Sequence, residues 1–165
     1  MAAGRTRRIA ALAAVPLLLV ANSAPPTQPP APAPTSTAQT SGVLLTISFV
    51  GLRSTRGLVR GCLTRDPAAF PDKCEKDPRS LKATIPAAPH AIMRFTGVPS
   101  GDYALSILHD ENANGRLDTM LGIPKEGVGF SENPALHFSA PKFAAARFHV
   151  GSEDVVKEVR IKYFL

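Results

Sequence analysis

The sequence is poor in the features that would assign a function directly. Two cysteines are too few for a four-ligand zinc site or a dense disulfide framework. Charged residues make up 19% of the 165 positions, and no dense Lys/Arg patch follows the N terminus, so nucleic-acid binding has little support. We find no Gly-Lys-Ser/Thr phosphate loop, no nucleophile elbow and no internal repeat. What remains is a chain of globular composition, long enough for one domain with tails.

The N terminus has the pattern of an export signal. Three arginines precede an almost unbroken apolar run at 9–20, and small residues follow before Ala24. This order predicts a secretory signal peptide over residues 1–23. The run, about 12 residues long, is shorter than the roughly 20 that a membrane-spanning helix needs. An uncleaved short anchor is the alternative. We expect a periplasmic or secreted protein that meets the membrane only through export.

Residues 24–40 are rich in Pro, Ala and Thr and contain no charge and no large apolar side chain. Such a segment has nothing with which to form a core, so it predicts a disordered, partly polyproline-like linker that acts as a spacer. A proline-binding partner is the alternative. Removal of residues 1–23 leaves 16 basic and 13 acidic residues, a net charge of +3.

The domain is expected over residues 41–165, which hold all eight Phe and both Tyr residues. Apolar and polar residues alternate in short runs, and Gly, Pro, Ser and Asp separate these runs. The predicted strands cover residues 43–50, 57–64, 81–85, 91–96, 103–109, 145–150 and 155–164. A helical turn is the alternative at 143–147. The pattern predicts an all-β, antiparallel β-sandwich of about seven strands, immunoglobulin-like or transthyretin-like in size.

The two cysteines, Cys62 and Cys74, lie on either side of a segment that contains two prolines and several charges. Oxidising compartments favour a bridge between two such thiols, so we predict a structural disulfide. A redox pair is the alternative, but redox pairs usually have the spacing Cys-x-x-Cys.

Oxygen-bearing side chains alternate in residues 110–118, as they do in calcium-binding loops. The expected ligands are the side chains of Asp110, Asn112, Asn114 and Asp118 and the backbone carbonyl of Arg116. Gly115 takes the place of the glycine that makes the sharp turn. Calcium requires six to eight hard oxygens, and alternate residues curling around one point supply them. We expect weak binding, with a dissociation constant on the order of 10⁻⁴–10⁻³ M, as in extracellular modules.

The loop departs from an EF-hand, because Leu121 stands where the twelfth-position glutamate belongs and no helical pattern flanks it. Glu126 is a further carboxylate that could return to the site. The alternative is a metal-free turn: Asn114-Gly115 is a hairpin signal, and Asp and Asn side chains cap their own turns. The sequence leaves both hypotheses open.

Residues 122–134 contain three glycines and two prolines and predict a shaped loop rather than a strand. We expect Phe130 to anchor this loop on the core, with a ligand-facing ring as the alternative. Lys125 and Glu126 are expected to be a solvated ion pair.

The stretch HDENANGRLDTMLGIPKEGVGFSENP, at 109–134, follows the predicted strand GDYALSIL. Together they resemble the signature of a family of exported bacterial proteins, the domain-of-unknown-function family numbered 2141. The resemblance covers about residues 43–163. It implies a secreted or periplasmic β-sandwich with no established activity or catalytic residues. Ala113 and Val128 stand where the family pattern leads us to expect Gly and an aromatic residue.

Three functions are compatible with these observations. The first is a binding or structural module of the bacterial envelope, whose loops recognise a carbohydrate, a peptide or another envelope protein. The second is a periplasmic hydrolase, for which His109, Asp110 and Ser131 are the best available trio of base, orienting group and nucleophile. The third is a mechanical spacer, which no feature of the sequence separates from the first.

Overall fold

The computed structural model describes residues 42–136 and 139–165. The predicted signal peptide and linker lie outside the described residues. The described residues form ten strands: β1 Val43–Val50, β2 Leu58–Thr64, β3 Leu81–Pro86, β4 Ile92–Val98, β5 Gly101–Asp110, β6 Thr119–Met120, β7 Ile123–Pro124, β8 Gly127–Phe130, β9 Arg147–Val150 and β10 Val155–Arg160. A one-turn helix, α1, covers Phe143–Ala146, and a 3₁₀ turn covers Cys74–Lys76.

Two sheets enclose the core, which confirms the all-β sandwich. One sheet has the order β10-β1-β4. The other has the order β3-β2-β5, with β8 and β9 both pairing the far edge of β5. All the pairings are antiparallel except that of β1 with β10, which is parallel. Side-chain alternation specifies which face of a strand is buried but not the direction of its partner, so this pair could not be predicted.

The predicted alternation is confirmed in the core strands. In β1, Val43, Leu45, Ile47 and Phe49 are buried, and every residue between them is half-buried. On β5, the side chains of Tyr103, Leu105 and Ile107 face the same core. Val159 and Ile161 close it from the other sheet. The hydrophobic pattern is therefore satisfied by burial between two sheets.

Two strands, β7 and β8, lie in the segment 122–134 that the sequence predicts to be a loop. Strand β8 pairs with β5 although two of its four residues are glycines. A Cβ at Gly127 or Gly129 would lie within 3 Å of the Ile161 side chain, so glycine lets β10 and the residues after it approach closely. Phe130 is buried and packs edge-to-face on Phe70, with ring centroids 5.8 Å apart, which confirms its expected role as an anchor.

The predicted disulfide between Cys62 and Cys74 is present, and both residues are buried. It ties β2 to the 3₁₀ turn. In the described part of the chain, we find no helix of the length and apolarity required to span a bilayer.

Candidate metal-binding loop

Asp110 lies at the end of β5, where the strand gives way to the loop. Its carboxylate is fully buried and accepts hydrogen bonds from the backbone N–H groups of Asn114 (3.0 Å) and Gly115 (2.8 Å). Gly57, before β2, has a φ of 71° and leaves no room for a Cβ beside the Asp110 carbonyl. The loop is therefore folded around Asp110, and a neighbouring glycine permits the close approach.

Asp118 is the second focus of the loop. Its Oδ2 accepts hydrogen bonds from the side-chain amides of Asn112 (2.8 Å) and Asn114 (2.9 Å). The Arg116 guanidinium lies 3.4 Å from Oδ1. The Asn112 hydrogen bond, helped by Asn114 and Arg116, holds the pKa of the Asp118 carboxyl below its usual value. All five residues expected as ligands therefore belong to one hydrogen-bonded loop.

Glu126 returns to this loop and is buried, with 4% of its surface exposed. Its Oε2 accepts a hydrogen bond from the Asp118 N–H at 3.0 Å. The other oxygen, Oε1, is buried and has no hydrogen-bond partner among the described residues. Burial raises the pKa of the Glu126 carboxyl, and the carboxylates of Asp110 and Asp118 raise it further. The predicted solvated Lys125/Glu126 pair is thus wrong for Glu126, because the hairpin that follows Asp118 turns it inward.

In the hydrogen bonds of the loop, the amide nitrogens of Asn112 and Asn114 face Asp118. Calcium coordination would require both amides to rotate and present their oxygens. Over residues 42–136 and 139–165, no three His, Cys, Asp or Glu side chains are grouped to hold a metal ion. An ion here would therefore need amide and carbonyl oxygens as well as carboxylates.

A salt-bridged cluster lies directly beside the loop. The carboxylate of Glu111 accepts hydrogen bonds from Arg53 (3.0 and 2.5 Å) and from the Ser54 hydroxyl (2.7 Å). The Arg53 hydrogen bond is the largest reason why the pKa of Glu111 falls to about 2. Arg53 also stacks on the Tyr163 ring, 4.3 Å from its centroid. This cluster fixes the chain at the start of the loop.

The residues of the hydrolase hypothesis have separate partners. The fully buried His109 uses Nδ1 with the Tyr163 hydroxyl (2.6 Å) and Nε2 with the Arg56 carbonyl (2.9 Å). Ser131 donates to the Ala146 carbonyl and accepts from the Leu105 N–H. None of the hydrogen bonds found among the described residues joins two members of the trio His109, Asp110 and Ser131. The arrangement gives each a structural role.

The family model described as "Uncharacterized protein conserved in bacteria (DUF2141)" matches residues 47–158. The chain belongs to that family. No curated protein and no solved structure matches it. The DUF2141 match includes the whole candidate loop, Glu126 and strand β8, so the loop is part of the family domain rather than an addition to it.

Ala113 of this DUF2141 domain has a φ of 57°, a backbone region that favours glycine. We expect Ala113→Gly to raise the free energy of unfolding by about 0.5–1 kcal/mol, because an L-residue in this region costs about 1–2 kcal/mol. Urea unfolding measures the change. Ala68→Gly, at an exposed position outside the positive-φ set, is the matched control and should be destabilising. Equal destabilisation by both substitutions would contradict the expectation.

Sequence reasoning missed one feature of the site, an exposed apolar hairpin. Strands β6 and β7 follow Asp118 directly, and the exposed fractions of Leu117, Met120, Leu121 and Ile123 are 43, 52, 96 and 43%. The available signal was the run Met-Leu-Gly-Ile-Pro, in which apolar residues flank a turn glycine. A buried core strand can have the same apolar content, so the sequence does not distinguish an exposed hairpin from a core strand here, and the structure does.

Proposed function

We propose that this domain is an exported, non-catalytic binding module of the bacterial envelope. Its 110–118 loop takes one calcium ion, with Glu126 as a further oxygen ligand. The observation that carries the proposal is the buried Glu126 Oε1, which has no hydrogen-bond partner among the described residues beside a loop already rich in oxygen. The export signal in the sequence and the disulfide support the localisation.

The charges around Glu126 favour a cation. Asp110 and Asp118 both act on the Glu126 carboxylate, and Arg116 reaches only as close as 3.4 Å to Asp118. A buried carboxylate oxygen without a hydrogen-bond partner is costly, and proteins compensate such charges by pairing or by metal coordination. An ion between the Asp118 and Glu126 side chains would give Oε1 of Glu126 the partner that it lacks.

Calcium is the preferred ion because the available donors are all oxygens. It accepts six to eight of them in irregular geometry, and carboxylates, amides and carbonyls of this loop can supply that number with water. Magnesium requires a near-ideal octahedron and gives up its water reluctantly, so it should bind more weakly. The exposed faces of Asn112 and Asn114 leave a path for the ion to enter.

Calcium titration tests the proposal. We expect calorimetry to give a dissociation constant on the order of 10⁻⁴–10⁻³ M. At about 10 mM calcium, the free energy of unfolding should rise by about 1–3 kcal/mol, as mass action requires. Magnesium at the same concentration should have a smaller effect. No heat and no change in melting temperature with calcium would contradict the proposal.

Glu126→Gln separates a ligand from a merely structural residue. It removes the buried charge and keeps the acceptor for the Asp118 N–H. In metal-free protein it should be neutral or stabilising, since the ionised carboxylate is disfavoured by burial. Calcium affinity should fall about tenfold. Glu75→Gln, at an exposed position on the 3₁₀ turn, is the matched control. Unchanged calcium affinity in Glu126→Gln would remove Glu126 from the site.

A further inference from the structure

The β6–β7 hairpin presents an apolar tip to solvent. Within seven residues, 117–123, four large apolar side chains are 43–96% exposed. The two strands form a separate two-stranded sheet within the described structure, and a Cβ placed on Gly122 would meet nothing within 4 Å. The tip therefore projects from the domain, and its apolar residues do not contribute to the core.

The turn at the tip holds Leu121 in a backbone conformation that is unfavourable for leucine. Leu121 and Gly122 have φ values of 52° and 79°, as a two-residue turn with two left-handed positions requires. Asn, Asp or Gly is the usual residue at the first of these positions. A leucine there carries backbone strain and is 96% exposed, so its side chain gains no burial in the folded monomer that would offset the strain. We therefore look for its role in contacts outside the monomer.

The most exposed charged side chains around the base of the hairpin are basic. Arg116 and Lys125 flank the hairpin on either side and are exposed, and Arg56 is exposed nearby in the same cluster. Of the carboxylates at this end, Asp110 and Glu126 are buried. The Asp118 side chain is 27% exposed and lies 3.4 Å from Arg116. The N–H of Lys125 closes the base of the hairpin on the Asp118 carbonyl at 2.9 Å. The well-exposed charged side chains that surround the apolar tip are therefore mainly basic.

We propose that this hairpin inserts into the surface of an anionic phospholipid bilayer. Leu121 and Met120 enter the boundary between headgroups and acyl chains, and Arg116 and Lys125 lie at the level of the phosphates. This names the partner of the binding module proposed above, and to that extent rests on it. A calcium ion at the base would fix the angle of the hairpin, but insertion does not require the ion.

Three observations favour a bilayer over a protein groove or a second copy of the chain. The tip is convex and small, so it buries its apolar residues best in a medium that deforms around it. From Asp118 to Leu121 the hairpin reaches about 10 Å, which matches the roughly 5–10 Å depth of interfacial insertion. The paired cations at its base suit anionic headgroups, each contributing to attraction at such a surface. This proposal differs from the sequence-based expectation of membrane contact only through export, which stays a prediction.

A single tryptophan reports the insertion directly, because the chain has none. The experiment uses the chain from Ala24 onward, which keeps every described element and omits the apolar export segment. In Leu121→Trp, we expect a blue-shifted emission and quenching by brominated lipids when vesicles of phosphatidylethanolamine and phosphatidylglycerol are added. Val156→Trp, at an exposed position on β10, is the matched control and should show neither change. Equal quenching at both positions, or none at Leu121→Trp, would overturn the proposal.

Vesicle cosedimentation identifies the side chains responsible. We expect Met120→Ser combined with Leu121→Ser to weaken binding to anionic vesicles at least about tenfold, whereas Val156→Ser changes it by less than about twofold. Arg116→Gln with Lys125→Gln should weaken it similarly and reduce its salt dependence, with exposed Arg94→Gln as the control. Vesicles of phosphatidylcholine alone should bind at least about tenfold more weakly than anionic ones.

The outcomes separate this proposal from the calcium site. Vesicle binding without calorimetric heat would support the hairpin and contradict the ion. Calorimetric heat without vesicle binding would overturn the hairpin alone. Self-association in sedimentation velocity that Leu121→Ser abolishes, with no binding to vesicles, would assign the tip to a second copy and overturn the bilayer.

Discussion

Replacing Cys62 and Cys74 together by alanine should lower the free energy of unfolding by about 3 kcal/mol, because the bridge closes a loop of about the size for which that loss is expected. The two cysteines are 12 positions apart, and both are buried. Without the bridge the unfolded chain gains freedom, while the folded chain loses little contact because alanine is close to cysteine in size. Urea unfolding of the two proteins under the same oxidising buffer measures the difference.

Reduction of the native protein is the independent control for that experiment. Reduced protein and the double alanine variant should unfold at similar urea concentrations, since both lack the same cross-link. A double variant with an unchanged urea midpoint would contradict a stabilising bridge. Thiol titration of denatured, unreduced protein completes the test, because two reactive thiols would show that the bridge does not form in the purified protein.

The second large effect concerns Glu111, whose carboxyl has a pKa of about 2 in the folded protein. Since this value is below that of the unfolded chain, ionised Glu111 stabilises the fold above about pH 4.5. That stabilisation is lost as the pH falls from about 4.5 to about 2. The size is about 2 kcal/mol, reduced from the full linkage value because Arg53 is 40% exposed and solvent screens the pair.

Glu111→Gln should therefore cost about 2 kcal/mol at pH 7 and almost nothing near pH 2. Urea unfolding of both proteins across this range gives the two curves, which should converge in acid. Glu75→Gln, exposed and remote from Arg53, is the matched control and should stay close to the native protein at every pH. A constant gap between Glu111→Gln and the native protein from pH 7 to pH 2 would contradict the assignment.

The pKa of Glu126 is shifted in the opposite direction to that of Glu111. Its pKa is raised, so the folded protein holds this proton more tightly than the unfolded chain does. The contribution of Glu126 favours the fold at pH values below its pKa in the unfolded chain. It is lost as the pH rises through the higher pKa of the folded protein. The two glutamates are 15 positions apart and belong to the same end of the domain, yet acid weakens the fold through one and strengthens it through the other. Glu126→Gln should remove the second effect only.

The strands were predictable because their side chains alternate, and alternation is a local property. Each of the seven predicted strands is present, and the buried faces of β1 and β5 are those that the pattern indicates. Strand β8 was not predictable, because its glycines are selected by the close approach of Ile161, which lies more than 30 positions away. The same reasoning holds for the parallel partner of β1.

The candidate site was predictable in part. The spacing of Asp110, Asn112, Asn114 and Asp118 predicts one metal centre, which stays a prediction. The hydrogen bonds join the four residues in one loop, around Asp110 and around Asp118. Burial of Glu126 depends on the path of the β6–β7 hairpin that precedes it. The spacing of residues in the sequence carries no information on that path. The structure also gives His109 two partners, Tyr163 and Arg56, that lie about 50 positions away in the chain. The sequence suggested His109 as a candidate base only because of its residue type and its neighbour Asp110.

The parallel pairing of β1 with β10 makes the completion of folding depend on both ends of the domain. Leu45 is paired with Val155, so the central strand of its sheet lacks a neighbour until a segment 110 positions further along has been delivered. A polypeptide threaded through a narrow translocation channel from its N terminus would hold β1 half-covered throughout most of its passage. Contacts of such long range form slowly. The topology thus delays a finished core until nearly all of the chain is available, a delay that would suit the export proposed above.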